Sequence, residues 1–287
     1  MRLNTRALIF IATAFLITSC REVRMHEHKD WGKLYEAYGI KNACFILRDN
    51  NHEAMHYYNK ERCLQRFTPA STFKIFNSLV ALETAIAPDE QYIIKWDSVK
   101  SSHVECNKDM NMREAFRESC VNYYQEIARR IGTVQMQHYL DTVKYGNMKI
   151  GNAVDSFWLN DTMQISADEQ VGFVKRLYFN ELPFSERTQR IVRSMMLFED
   201  QPGYKLYYKT GTREVNGNYI YWIVGFTERI VKVKENKESM NKSNERMYPY
   251  FFAQNFEMPV SDTTHDWFKV RKDILHEILK DVNALPK

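Results

Sequence analysis

Glycine and proline are scarce in this chain, 10 and 7 residues among 287. That scarcity excludes collagen-like repeats and Pro/Gly-rich low-complexity sequence. No run reaches the ~18 consecutive apolar residues that a membrane-spanning helix requires. Neither sign of charge dominates: 40 basic and 36 acidic residues leave a net +4. Two of the basic residues, Arg2 and Arg6, stand in a segment read below as removable. So slight a positive balance leaves no electrostatic footprint for nucleic acid. No self-similarity recurs at periods of 20 to 50 residues, which excludes solenoids and propellers. What the chain does have is 44% hydrophobic and 14% aromatic residues, enough to build a sizeable core and to exclude a disordered chain. A length prior of about 150 residues per domain permits one large domain or two modest ones.

The first residues read as an address. MRLNTR is basic, and the apolar run Ala7 to Ile17 suits the central region of a signal peptide while being too short to span a bilayer. The run ends Ile17-Thr18-Ser19-Cys20, which resembles the bacterial lipobox, whose cysteine is diacylated and becomes the new N-terminus. On this reading residues 1–19 are a lipoprotein signal peptide and 20–30 a polar tether from lipidated Cys20, leaving 31–287 as a catalytic domain. The domain would then be exported and held on the bacterial cell envelope, facing the periplasm or the exterior. Acyl chains contribute about 0.8 kcal/mol per buried CH₂, so two or three of them anchor a protein stably. The alternative is an ordinary cleaved signal in which Cys20 is incidental. Cys44, Cys63, Cys106 and Cys120 remain. Four cysteines in an oxidising compartment permit two disulfides in three connectivities, and the spacing chooses none of them. Each is as readily a small buried hydrophobe.

Asn42 to Leu47 reads as a strand, Arg48 to Asn51 as a turn and His52 to Tyr58 as the returning strand. From Ser71 the run STFKIFNSLVALETAI carries apolar residues at helical spacing and stops at Ala87-Pro88-Asp89. Between 108 and 198 most segments read as helix, among them VNYYQEIARRIG, TVQMQHYLDTV and ADEQVGFVKRLYF. After 203 the texture turns aromatic and β-branched, predicting three strands, with the charged stretch Lys234 to Arg246 as a loop between two of them. The last segment, from Thr264, reads as an amphipathic helix. Strands at both ends with helices between predict an α/β (α+β) fold. One mainly antiparallel sheet is built from both termini, with an inserted helical lobe.

Two motifs compete for the chemistry. His52-Glu53-Ala54-Met55-His56 matches H-E-x-x-H, a zinc-peptidase pattern that needs both imidazoles one helical turn apart. An Asp-Asn-Asn turn stands immediately before it and no helical pattern contains it; on alternating strand positions the two histidines would share a solvent face. Ser71-Thr72-Phe73-Lys74 is S-x-x-K at the start of an apolar helix, which puts the hydroxyl and the amine on one face. A second S-x-x-K, Ser239 to Lys242, lies in the charged loop and is expected to be inert. A serine nucleophile needs a base within reach, and a lysine with an ordinary pKa of about 10.4 is protonated. Burial and the positive helix end would lower that pKa. Further along stand Ser119-Cys120-Val121 before a helix, Tyr145-Gly146-Asn147 after one, and Lys209-Thr210-Gly211 ending a strand-like run.

S-x-x-K, a second serine motif and K-T-G in this order mark penicillin-recognising serine enzymes. PASTFK, S-x-V before NYYQEIARRIG, Y-G-N, FWL at 157–159 and KTG together resemble the class D (oxacillinase-type) serine β-lactamases, from about residue 30 to the C-terminus. The resemblance implies a transpeptidase-like fold and hydrolysis of penicillins, oxacillin-type drugs included, through an acyl-enzyme on Ser71. It implies that Lys74 is carboxylated by CO₂, no metal or other cofactor being needed, and that the resulting carbamate serves as base. Val121 keeps that pocket apolar, and Trp158 donates its indole N–H to the carbamate. Ser119 relays a proton to the ring nitrogen beside Lys209, and the backbone N–H groups of Ser71 and Thr212 form an oxyanion hole. Thr210, Gly211, Tyr145 and Asn147 shape the substrate site, and Arg271 pairs with the substrate carboxylate. Cys120 and the long 234–246 loop depart from the family pattern. A penicillin-binding or β-lactam-sensing module that acylates without turnover is the rival reading. The zinc peptidase is the remote one, and oligomeric state stays open.

Overall fold

The computed structural model describes residues 23–232 and 245–287. Signal peptide, Cys20, the second S-x-x-K and most of the 234–246 loop therefore lie outside the described residues. Seven strands form one sheet: β1 (Arg24–Glu27), β2 (Asn42–Asp49), β3 (Ala54–Tyr58), β4 (Leu197–Gln201), β5 (Tyr204–Val215), β6 (Asn218–Lys232) and β7 (Glu245–Pro259), in the order β1-β3-β2-β7-β6-β5-β4. Every pairing is antiparallel except β1 with β3. Strands from both ends of the chain thus meet at the β2–β7 ladder, and the helical lobe is inserted between β3 and β4, as the sequence pattern predicts.

The sheet is buried on both faces, so its central strands read as continuous apolar runs rather than alternating ones. Along β2, Cys44 and Ile46 enter one core while Phe45 and Leu47 enter the other. Trp222 and Val224 on β6 face the first core, Tyr221 and Ile223 the second. The first core packs against α1 (Lys74–Glu83), α2 (Met112–Arg117), α3 (Val121–Val143), α4 (Ala167–Tyr178) and α5 (Glu186–Met195). The second is covered by α6 (Trp267–Asp281) and by Trp31 and Tyr35 from the N-terminal side. The sequence divides α3 into two helical segments at Gly132, and Gly132 does adopt a non-helical φ of 77° there. Among the described residues no helix is long and apolar enough to cross a membrane.

Two local readings change. Of the stretch read as tether, Arg24–Glu27 forms an edge strand in parallel register with β3. All its residues are exposed, so it is held through its backbone and leaves no hydrophobic pattern. The returning strand begins at Ala54, not His52, and its outer edge is paired with β1. His52 sits in the turn and its Nδ1 lies 2.7 Å from Asp49 Oδ2, whereas His56 Nδ1 lies 2.8 Å from His28 Nε2. The motif is not helical, its imidazoles have different partners, and no metal-binding cluster exists among the described residues.

Candidate active site

The nucleophile segment is a short 3₁₀ turn, Ala70–Phe73, running directly into α1. Its entry is tightly specified. Ala70 is buried with a φ of +48°, a conformation that costs a non-glycine residue about 1 kcal/mol or more and persists only where neighbours over-determine it. Those neighbours can be named. Thr68 Oγ1 donates to Trp158 O at 2.9 Å, and Trp222 Nε1 donates to Thr68 O at 2.9 Å. Pro69 O accepts from the Thr72 hydroxyl at 2.7 Å, and Gln170 Nε2 donates to that same hydroxyl at 2.8 Å. Thr68, Gln170 and Trp222 carry no motif and escape a sequence reading. A tryptophan in an apolar strand whose N–H needs a buried partner was the available signal.

Lys74, one turn beyond Ser71, donates from Nζ to Ser71 Oγ at 2.7 Å. It has no exposed surface. Burial alone pushes its pKa down to about 7, so the ammonium loses its proton far more readily than an ordinary lysine. The ring of Tyr124 lies beneath it, 5.3 Å from Nζ. Tyr124 is itself pinned by a 2.8 Å hydrogen bond between its hydroxyl and Ser78 Oγ. Trp158 is wholly buried and its Nε1 has no hydrogen-bond partner among the described residues, an expensive donor to leave unmet.

A second serine–lysine pair stands opposite. Lys209 on β5 donates to Ser119 Oγ at 2.9 Å and to Thr210 O at 3.1 Å. Burial first, then the positive charges of Lys74 and Arg271, hold its pKa well below the usual lysine value. β5 runs close against the nucleophile turn. A Cβ on Gly211 would lie 2.9 Å from Pro69 O and 3.2 Å from Ser71 N, so only glycine permits this approach. Arg271 is buried on α6, not on the surface. Its Nη1 donates to Thr212 Oγ1 at 3.0 Å and Gly211 O at 3.2 Å, and burial lowers its pKa to about 10. It remains a cation at neutral pH.

The remaining expected residues divide. Val121 opens α3 and keeps 36% of its surface exposed, so it is a partly open residue beside Ser119 rather than part of sealed packing. Tyr145 is buried among Phe73, Phe76 and Phe173. Asn147 spends its amide on the facing loop, donating to Thr162 O and accepting from the Gln164 backbone N–H. These two shape the floor beneath α1 through packing and loop closure; the Asn147 amide is spent on protein, and the Tyr145 hydroxyl is buried without a hydrogen-bond partner among the described residues. Of the cysteines, Cys106 and Cys120 are joined, while Cys44 and Cys63 are buried free thiols. One of the two permitted bridges is therefore present.

Two serine–lysine pairs, one at the start of α1 and one joining the α2–α3 turn to β5, define the class, and the comparisons agree. Residues 42–245 match the penicillin binding protein transpeptidase domain. β-Lactamase OXA-48 of Klebsiella pneumoniae is 34% identical over 286 residues, covering 100% of each chain. β-Lactamase OXA-20 of Pseudomonas aeruginosa is 33% identical over 98% of this chain and 97% of its own. The solved class D β-lactamase FUS-1 (OXA-85) from Fusobacterium nucleatum superposes with a TM-score of 0.79 at 32% identity, over 91% of this chain and 100% of that one. The chain belongs to the class D serine β-lactamases.

Proposed function

We propose that the chain hydrolyses β-lactam antibiotics, penicillins of the oxacillin type among them, through an acyl-enzyme on Ser71, and so confers resistance to them. The observation that carries this reading is a wholly buried lysine with its pKa near 7, 2.7 Å from Ser71 Oγ. Lys74 and Trp158 fit the carboxylated lysine that the family implies. Only a neutral amine attacks CO₂, burial supplies that amine, and the unpartnered Trp158 Nε1 is a donor suited to an anion. Carboxylation would give the site an anionic base, which a protonated lysine cannot be.

Ser71 Oγ attacks the ring carbonyl, its proton passing to the base at Lys74. The oxygen that gains charge is met by the backbone N–H groups of Ser71 and Thr212, and one such donor is worth about 3 kcal/mol. As the C–N bond breaks, Ser119 gives its hydroxyl proton to the ring nitrogen and takes in return the proton that the base at Lys74 removed from Ser71. Lys209 donates to Ser119 Oγ, which leaves that hydroxyl hydrogen free to point at substrate. Arg271, Lys209 and the Thr210–Thr212 edge of β5 receive the substrate carboxylate, with Val121 at the mouth. The mature protein is read as exported and lipid-anchored through Cys20, with a catalytic domain that takes in β1 from Arg24 onward.

Oxacillin and benzylpenicillin turnover, with and without bicarbonate, is the test. Sustained hydrolysis that falls when CO₂ is stripped and returns on adding bicarbonate is expected, together with a carbamate carbon signal from ¹³C-bicarbonate that vanishes in Lys74→Ala. A burst of one equivalent with no further turnover would instead identify a penicillin-trapping module. Full turnover by Lys74→Ala would refute the lysine as base. Globomycin-sensitive processing and labelling by a fatty acid, both lost in Cys20→Ala, tests the anchor.

A further inference from the structure

Ser119 occupies a position that its own backbone does not favour. α2 ends at Arg117, and Ser119 follows in the left-handed region, with a φ of 62°. Its N–H donates to Phe116 O at 3.3 Å and the Cys120 N–H donates to Ala115 O at 2.9 Å, the two bonds of a Schellman turn in which Ser119 takes the place glycine normally fills. Cys120 is then the N-cap residue of α3. It makes no side-chain capping bond, because its sulfur is joined to Cys106. Where a serine or aspartate would fix the start of a helix through its own oxygen, a covalent bond fixes it here.

The other end of that bond is in a segment with few attachments. Between the two-residue ladder of Ile93–Ile94 with Met110–Asn111, the chain forms a single 3₁₀ turn, Val104–Cys106. It closes on itself through Asn107 to Ser101 and is tied at its base by Trp96 N to Asp109. Cys106 and Cys120 are both buried. The segment borders a pocket of about 250 Å³ lined by Trp96, Asp97, Cys106 and Lys108 on one side and by Asn122 of α3 on the other. Cys106–Cys120 is thus the covalent link from this segment to the residue after Ser119.

We propose that the Cys106–Cys120 disulfide is a positioning element for Ser119, making the acylation half of the reaction dependent on thiol redox state. It acts through Cys120, holding the left-handed turn so that Ser119 Oγ stays within reach of Lys209. Reduction by a dithiol breaks the S–S bond: the two electrons come from the reductant, which closes to its own disulfide, and each cysteine sulfur takes a proton. Re-formation passes those electrons and protons to an oxidised dithiol or glutathione disulfide. Ser71, Lys74 and Trp158 lie on other segments, so the deacylating half is left intact. The inference rests on the acyl-enzyme reading of the site.

The test uses the full chain and benzylpenicillin, with acylation and deacylation followed separately by stopped flow and by intact mass of the acyl-enzyme. Cys44 and Cys63 are thiols already, so among the described residues dithiothreitol changes only this pair. Dithiothreitol-treated enzyme and the Cys106→Ala/Cys120→Ala double variant should acylate between about 10- and 100-fold more slowly, the range expected when a reacting group drifts by about an ångström. Deacylation and the ¹³C-carbamate signal should be unchanged, the pH profile of acylation should shift, and re-oxidation should restore the treated wild type but not the variant. Reversible reduction keeps the test open if the variant does not fold. Unchanged acylation in the reduced enzyme overturns the proposal. So does a parallel loss of acylation, deacylation and carbamate signal, which marks general loosening. An intact enzyme that never forms the acyl adduct overturns the underlying reading instead.

Discussion

Lys74 is held against its own solvation. Its ammonium is fully buried and its pKa lies near 7 against an ordinary 10.5. Between those values the unfolded chain binds the proton and the native chain does not, so native stability rises with pH across the window and the burial penalty is complete below pH 7. Lys74→Met keeps the volume and removes the titration. In CO₂-free buffer the variant should melt several degrees above the wild type at pH 6 and near it at pH 10, with turnover abolished; parallel melting curves would mean that burial does not neutralise this lysine. Gly211 carries the complementary constraint. Gly211→Ala places a methyl group 2.9 Å from Pro69 O and must push β5 away from the nucleophile turn. Acylation should fall at least tenfold, about 1.4 kcal/mol of barrier, while far-UV circular dichroism stays native. These residues were legible in the sequence because S-x-x-K and K-T-G fix chemistry by spacing. Tyr145 and Asn147 were read only as shaping the site, because a short motif carries no information about which side of a loop faces inward. Thr68 and Gln170 were invisible because they act on the nucleophile turn through a backbone carbonyl and a neighbouring hydroxyl rather than on substrate.

At the scale of elements, legibility followed burial. β5, β6 and β7 announce themselves as aromatic and β-branched runs because both faces of the sheet are covered, and α1 and α6 do so through helical spacing. β1 does not, since every residue is exposed and parallel pairing draws on backbone groups common to any sequence. The α2–α3 junction lay between: its helices were clear, but its cross-link joins positions 14 apart that four cysteines could not assign. A closed loop of that size should contribute about 3 kcal/mol through the entropy it removes from the unfolded chain. The double alanine variant should therefore lower the urea midpoint as well as acylation, and the wild type in dithiothreitol should show the same loss. Equal midpoints would place the bond's whole effect in the native turn. α6 makes a different contribution. Arg271 reaches through its packing to two oxygens of β5, so Arg271→Ala should raise KM for benzylpenicillin more than it lowers kcat, read from steady-state kinetics over a range of substrate concentration.

For the molecule as a whole, the site sits where the lobe meets one side of the sheet, while its titratable histidines gather elsewhere. On the β1–β3 edge His28 and His56 share a 2.8 Å hydrogen bond, and the rings of His26 and His28 stack on His56. A bond between two imidazoles needs one neutral acceptor nitrogen, and burial with the neighbouring histidines pushes His56 down to about 4 and also lowers His28. Asp49 and Asp281 oppose the shift at His56, and Asp281 and Asp30 oppose it at His28, without reversing either. The folded values lie below the unfolded one of about 6.5, so this contribution is complete above pH 6.5 and is lost as pH falls toward 4. On α6, His276 has the opposite sign. Glu199 raises its pKa, and its stabilisation is complete below 6.5 and lost as pH rises through that higher value. Acid should accordingly loosen the β1 edge first. Melting temperature should fall between pH 6.5 and 4.5, with amide exchange accelerating at Arg24–Glu27 before the β6–β7 ladder. His56→Gln should flatten that fall and leave neutral-pH turnover unchanged, because none of the site side chains contacts His56. An equally steep fall in the variant, with β1 exchanging no faster than β7, would show that the edge histidines are not what acid titrates.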